Sequence, residues 1–349
     1  MGAKFLECSK RLSSGDRFMI VLCCVVLVLL AVGAAFLLCA PLRRIIGWVS
    51  EEEMSAFHKA VSDGDVAAVE GMVKRMPALL NAAGPDQETP IMKAAFSGRM
   101  EIVVLLIDRG AKVNIEDSIG RTPLEWAASA GNTEVVELLV AKGAPVNSTD
   151  RTGLTPLHVA ARGCYTDVVR LLLANDASIG ATSKTQMTAL HEAAENGCID
   201  VAQLLIENGA QLESKDKHGW SPLHWATITG RKETVEFLIS AGADVNVRDA
   251  FNATPLHFAA RLGDTSLIQT LISGGAAVSA MDNDGKTPLD HASSKRHSEA
   301  VELLTKAGAS SSIPPSSPTT HFDRRIEKVD SMGGTTNTHY YNDKWQVLK

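Results

Sequence analysis

Residues 155–161 read TPLHVAA, and variants of this phrase return along the chain. They are TPIMKAA from Thr89, TPLEWAA from Thr122, TALHEAA from Thr188, SPLHWAT from Ser221, TPLHFAA from Thr254 and TPLDHAS from Thr287. Each start lies 33 residues after the last (122 − 89, 155 − 122 and onward without a slip), so one supersecondary unit is repeated. The leading Thr or Ser is a helix N-cap, its side-chain oxygen taking a free backbone N–H. Proline at the first helical position loses nothing, because its missing N–H had no partner there. Leucine and the paired alanines face neighbours, and alanine lets helices pack closely.

About ten residues further on comes a second helix, as in Glu134-Val-Val-Glu-Leu-Leu-Val and Asp200-Val-Ala-Gln-Leu-Leu-Ile, with apolar residues at helical spacing. Glycine marks the turn between the two helices and again the end of the second. A polar turn then reads Asp-x-x-Gly at 117–120, 150–153, 216–219 and 282–285, and Asn252 takes the glycine position in a fifth. Two turns depart from this, with Gly84 and Gln87 in one and Ser183 and Gln186 in the other. They are expected to be looser or differently shaped, and to be hinge points.

This helix–turn–helix–hairpin unit closely resembles the ankyrin repeat. The resemblance covers 54–310, read as about eight units. The segment from Ser55 to Leu80 is the N-terminal cap, and the last unit, with Asp290 and Lys295-Arg296-His297, is the C-terminal cap. The fold class is therefore an all-α repeat solenoid, preceded by one transmembrane helix. The resemblance is specific for fold and nearly silent about function.

The transmembrane expectation rests on residues 18–40, an uncharged run flanked by Arg17 and by Arg43, Arg44 and Trp48. At ~1.5 Å per residue it is long enough to cross the ~30 Å bilayer core. A cleaved signal peptide ending near Val32-Gly33-Ala34 is the rival reading. Before the span lie a short segment, 1–17, and after it a linker, 41–53. Gly2 and Cys8, Cys23, Cys24 and Cys39 are lipidation candidates. Residues 311–349 open with a Ser/Pro/Thr-rich stretch and are expected to be disordered.

Charge and cysteines bear on location. The formal net charge of −6 argues against a nucleic-acid partner. Lys4, Lys10, Arg11 and Arg17 precede the span and only Arg43 and Arg44 follow it, which favours a lumenal body. Cys164 and Cys198 occupy nearly equivalent turns of adjacent repeats, ~10 Å apart, too far for a disulfide. Free thiols suit the cytosol, and with the resemblance they put the repeats on the cytosolic side. A lumenal or secreted body is the alternative, and glycosylation at the Asn147 and Asn252 sequons would reveal it.

No phosphate-binding loop, zinc-protease helix or nucleophile elbow is present. No catalytic, metal or cofactor residue is assigned, and no small-molecule substrate is expected. His158, His191, His224 and His257 sit one per repeat, too far apart to share a metal with ~2.0 Å bonds. The resemblance implies instead that they tie repeats together. It also implies that a protein partner binds a concave face made by the hairpin tips and first helices. Carried over by position, that face includes Trp126, Trp220, Trp225, Phe251 and Phe258, and the last four form an aromatic patch in a chain with only 5% aromatics. The function so read is a membrane-tethered, non-catalytic adaptor. The alternatives are a regulatory or inhibitory subunit docking on an enzyme, and a lumenal binding module.

Overall fold

The computed structural model describes residues 49–311. The span at 18–40, the lipidation candidates and the tail from 312 lie outside the described residues. Among those described, no helix is long and apolar enough to cross a membrane. They form sixteen α-helices and one 3-10 turn, with no β-strand. They divide into two compact units, 49–94 with 99–112, and 95–98 with 113–311.

The first unit holds α1 (Glu51–Asp63), α2 (Val66–Arg75), the 3-10 turn Pro77–Asn81, most of α3 (Pro90–Phe96) and α4 (Met100–Asp108). Helix α1 starts inside the segment read as a linker, and Ser50 is the reason. Its hydroxyl accepts the Glu53 N–H at 3.2 Å while the Glu53 carboxylate accepts the Ser50 N–H at 3.1 Å. Glu51, Glu52 and Glu53 then face the positive end of the helix dipole. Phe57, Val61, Val69 and Leu79 close the core of this unit.

The second unit repeats one pattern. Its first helices are α5 (Pro123–Ser129), α7 (Pro156–Arg162), α9 (Ala189–Asn196), α11 (Pro222–Ile228), α13 (Pro255–Leu262) and α15 (Pro288–Ser294). Its second helices are α6 (Thr133–Ala141), α8 (Thr166–Ala174), α10 (Ile199–Glu207), α12 (Lys232–Ser240), α14 (Thr265–Ser273) and α16 (Ser298–Lys306). Each first helix packs on its own second helix and on the first helices of adjacent repeats. Leu124, Leu157, Leu190, Leu223 and Leu256 are at most 1% exposed. Each such leucine contributes about 1.5–3 kcal/mol by burial.

The hairpin turns are joined tip to tip. Backbone N–H groups of Arg151, Lys184, Lys217 and Asn283 donate to the carbonyls of Ile119, Thr152, Thr185 and Phe251 at 2.7, 2.8, 3.0 and 2.9 Å. The departures at 84–88 and 183–187 do not loosen their turns, which corrects the expectation. Gln87 and Gln186 adopt φ of 59° and 62°, the left-handed conformation that glycine holds elsewhere. The closing bonds are those of the regular turns, Gly84 N–H to the Glu88 carbonyl and Ser183 N–H to the Met187 carbonyl, both at 2.9 Å. A long polar residue tolerates that backbone at a modest cost that the surrounding turn holds in place.

Candidate functional site

The histidines act as the resemblance implied. In α7, α9, α11 and α13, Nδ1 of His158, His191, His224 and His257 accepts the N–H of the capping residue at 3.2, 3.0, 3.2 and 3.0 Å. Nε2 therefore carries the proton and donates to a carbonyl of the next repeat: Met187 and Trp220 at 3.0 Å, Ala253 and Lys286 at 3.3 Å. Burial holds His158 and His191 below the usual imidazole range. Burial, then repulsion from His291, brings His257 down to about 4. These rings are neutral inter-repeat ties.

Met92, Glu125 and Asp290 fill the same slot in the remaining phrases, and the two acids differ from each other. Asp290 accepts the Thr287 N–H and hydroxyl, both at 2.9 Å. Glu125 is 1% exposed and neither carboxylate oxygen has a partner. Burial, reinforced by Asp150, pushes its carboxyl well above the usual range, so it is held as a neutral acid.

Three of the four aromatics, Trp220, Trp225 and Phe258, lie together, and two of them face inward. Trp220 and Phe258 were expected to project, and both are 0% exposed. Trp220 meets Trp225 and Phe258 edge to face, with ring centroids 5.2 and 5.6 Å away. Its Nε1–H donates to Asp249 Oδ2 at 3.0 Å. The residue before the cap turns inward because its carbonyl is taken by the preceding repeat's histidine; Met187, Ala253 and Lys286 at that position are buried too. Phe258 follows the histidine slot, where Val159, Glu192 and His291 are also buried.

Trp225 and Phe251 remain half-buried and accessible, with Ile228 beside the cluster. Trp225 Nε1–H donates to Asp216 Oδ2 at 3.2 Å. Trp126 is half-buried and stands apart from that cluster. It has the Arg121 guanidinium 4.3 Å above its ring, Phe96 edge-on at 5.8 Å, and its Nε1–H on Asp117 Oδ2 at 3.1 Å.

Charged residues outside the aromatic site lie on the same helices. Arg162 of α7 holds Glu192 of α9 through two bonds, Nε to Oε2 at 2.8 Å and Nη2 to Oε1 at 2.9 Å. Glu195, one turn along α9, is raised to about 7 by burial and then by the Glu192 charge. Their positions just after the slot residue and one turn beyond it were the available signal.

The cysteine expectation is overturned. Cys164 and Cys198 form a disulfide with Cα atoms 5.0 Å apart. They are 34 residues apart, one more than the repeat, so their positions are not equivalent. Cys164 takes the left-handed turn position, φ 59°, while Cys198 is the N-cap of α10 and reaches back onto that turn. The free-thiol argument for a cytosolic body falls with this bond.

Fold and site together define a helical repeat array in which the polar groups recurring once per repeat serve the stacking. Stretches 26–117, 115–183, 175–249 and 246–313 match the family model described as ankyrin repeats (3 copies). The chain belongs to the ankyrin repeat family, whose repeats are protein–protein interaction modules. It is similar to the crystal structure of the human ASB11 ankyrin repeat domain, with a TM-score of 0.59 and 26% identity over 67% of this chain and 100% of that one. It is 33% identical over 67 residues to the NAD-capped RNA hydrolase NUDT12 of Homo sapiens, and 34% identical over 65 residues to that of Macaca fascicularis. Each of these matches spans 19% of this chain and 14% of the relative.

Proposed function

We propose that this chain is a membrane-tethered, non-catalytic scaffold. Its repeats hold a protein partner against the face made by hairpin tips and first helices, and residues 18–40 anchor it. The observation that carries the reading is the edge formed by Trp225 and Ile228, seated on the buried base of Trp220 and Phe258, with half-buried Phe251 at a hairpin tip. Half-exposed aromatics whose rotamers are already fixed lose little entropy on binding, which is what makes such groups hot spots. The four histidine slots are filled by buried rings whose two nitrogens are both hydrogen-bonded within the stack.

The resemblance to ankyrin proteins favours repeats on the cytosolic side. A second reading, repeats on the opposite side, is favoured by the Cys164–Cys198 disulfide and by the excess of basic residues ahead of the span. Asn252 is exposed in its turn, whereas the Asn147 amide is tied to Asp176 and Ser178. A glycosidase gel-shift with protease protection on membranes from eukaryotic cells separates the two. Protected repeats with a shift lost in Asn252→Gln overturn the cytosolic side, and a chain absent from the membrane pellet overturns the tether. Proximity labelling then tests the face: Trp225→Ala with Phe251→Ala should cut labelled partners about ten-fold. Unchanged labelling would dismiss this face, and a labelled enzyme whose rate changes on binding would make the chain a regulatory subunit.

A further inference from the structure

Three successive hairpin tips carry a basic residue at the same position: Arg151, Lys184 and Lys217. All three are exposed, and none forms an ion pair among the described residues. The flanking tips have Ser118 on one side and Ala250 and Asn283 on the other, so the row is confined. Its members are held in register, because each backbone N–H is bonded to the preceding tip. One repeat step of ~10 Å separates neighbours.

The acids beneath the outer two tips bond within their own turns, and among the described residues neither forms an ion pair with a tip cation. Asp150 Oδ1 accepts the N–H groups of Thr152 and Leu154 at 2.8 and 2.9 Å, and Asp216 Oδ1 those of His218 and Trp220 at 2.8 and 2.9 Å. Both carboxylates are buried and turned inward. The turn under the central cation, Lys184, has no carboxylate. Ser183 stands where the other five turns of this unit have aspartate, and its hydroxyl meets Thr185 Oγ1 at 2.8 Å and accepts the Met187 N–H at 3.2 Å. The turn keeps its shape and loses only its negative charge, so the substitution changes electrostatics and little else.

We propose that this row docks an extended acidic segment of a protein partner, with a carboxylate at every third residue. In a polyproline-II conformation every third side chain projects the same way, about 9 Å apart at ~3.1 Å per residue, which matches the repeat step. A chain with net charge −6 repels a long polyanion, so three cations suit a short acidic stretch and not a nucleic acid. The inference rests on the reading that a protein binds this side of the repeats.

The test is fluorescence anisotropy with the full-length chain and a labelled Glu-Pro-Pro repeat peptide, with a Lys-Pro-Pro peptide and an oligothymidylate as comparisons. Glu-Pro-Pro should bind and lose affinity as salt rises past about 0.1 M. Lys184→Glu should weaken binding about five-fold or more, and Ser183→Asp about two-fold. Arg170→Glu, the same charge change on the exposed side of α8, should leave it unaltered. Circular dichroism melts establish that each variant is folded. Equal losses in Arg170→Glu and Lys184→Glu, tighter binding of the oligothymidylate, or no binding of Glu-Pro-Pro would each overturn the row. Partners that depend on Trp225 and Phe251 in proximity labelling but persist in Lys184→Glu would leave the scaffold reading standing while the row falls.

Discussion

At the residue scale, Trp220 and Phe251 divide the aromatic patch between core and surface. The Trp220 ring is enclosed by Trp225 and Phe258 and its Nε1–H satisfies Asp249. Trp220→Ala removes the ring and leaves a buried carboxylate oxygen short of a donor, so it should cost about 3–5 kcal/mol. Phe251 is half-buried at a tip, and Phe251→Ala should cost about 1 kcal/mol or less. Chemical denaturation compares the two directly, and a Trp220→Ala chain as stable as the parent would mean that the ring is not enclosed. The clustering of these aromatics was legible from the 33-residue spacing. Which of them are buried was not, because a position before a cap looks like loop in sequence. Its inward turn is imposed from outside, by a histidine one repeat away that claims its carbonyl.

At the scale of elements, the TPLH phrase made the first helices and their caps legible, and the apolar spacing did the same for the second helices. The link between adjacent turns was hidden, because it runs between non-equivalent positions. The N-cap residue of each second helix tends to reach back to the preceding inter-helix turn. Asn132 Nδ2–H donates to the carbonyls of Ala95 and Phe96 at 2.7 Å, Arg231 Nε–H to that of Glu195 at 3.2 Å, and His297 Nε2 bonds that of Arg261 at 2.9 Å. Cys198 makes the same reach and bonds covalently to Cys164, which has replaced the usual glycine at a positive φ. Closing that loop should stabilise the stack by about 3–4 kcal/mol through the unfolded chain. Cys198→Ser, or reductant on the parent chain, should therefore lower the hydrogen-exchange protection of α7 to α10 by similar amounts. The two treatments together should do no more than either alone. Protection that reductant leaves unchanged would mean that the tie is not covalent in solution.

For the molecule as a whole, buried titratable groups pull stability in opposite directions with pH. His158, His191 and His257 are held neutral in the fold. Between pH 6.5 and about 4 the unfolded chain takes up protons that the folded His257 refuses, so this contribution is lost on acidification. Glu195 works the other way. Its folded carboxyl keeps a proton up to about 7 whereas the unfolded one releases it near 4.5, so folding is weakened as pH rises across that window. Because the two trends overlap, the net slope identifies neither group, and a difference between chains is needed. Glu195→Gln cannot ionise and keeps nearly the same shape. Relative to the parent it should be neutral at pH 4, gain stability through pH 5 to 7, and level off at about 1–3 kcal/mol by pH 8. Denaturation midpoints for both chains across that range read the difference. An equal gain at pH 4 and pH 8 would show that packing and not the buried charge is responsible, and would remove Glu195 from the electrostatic balance on the first helices.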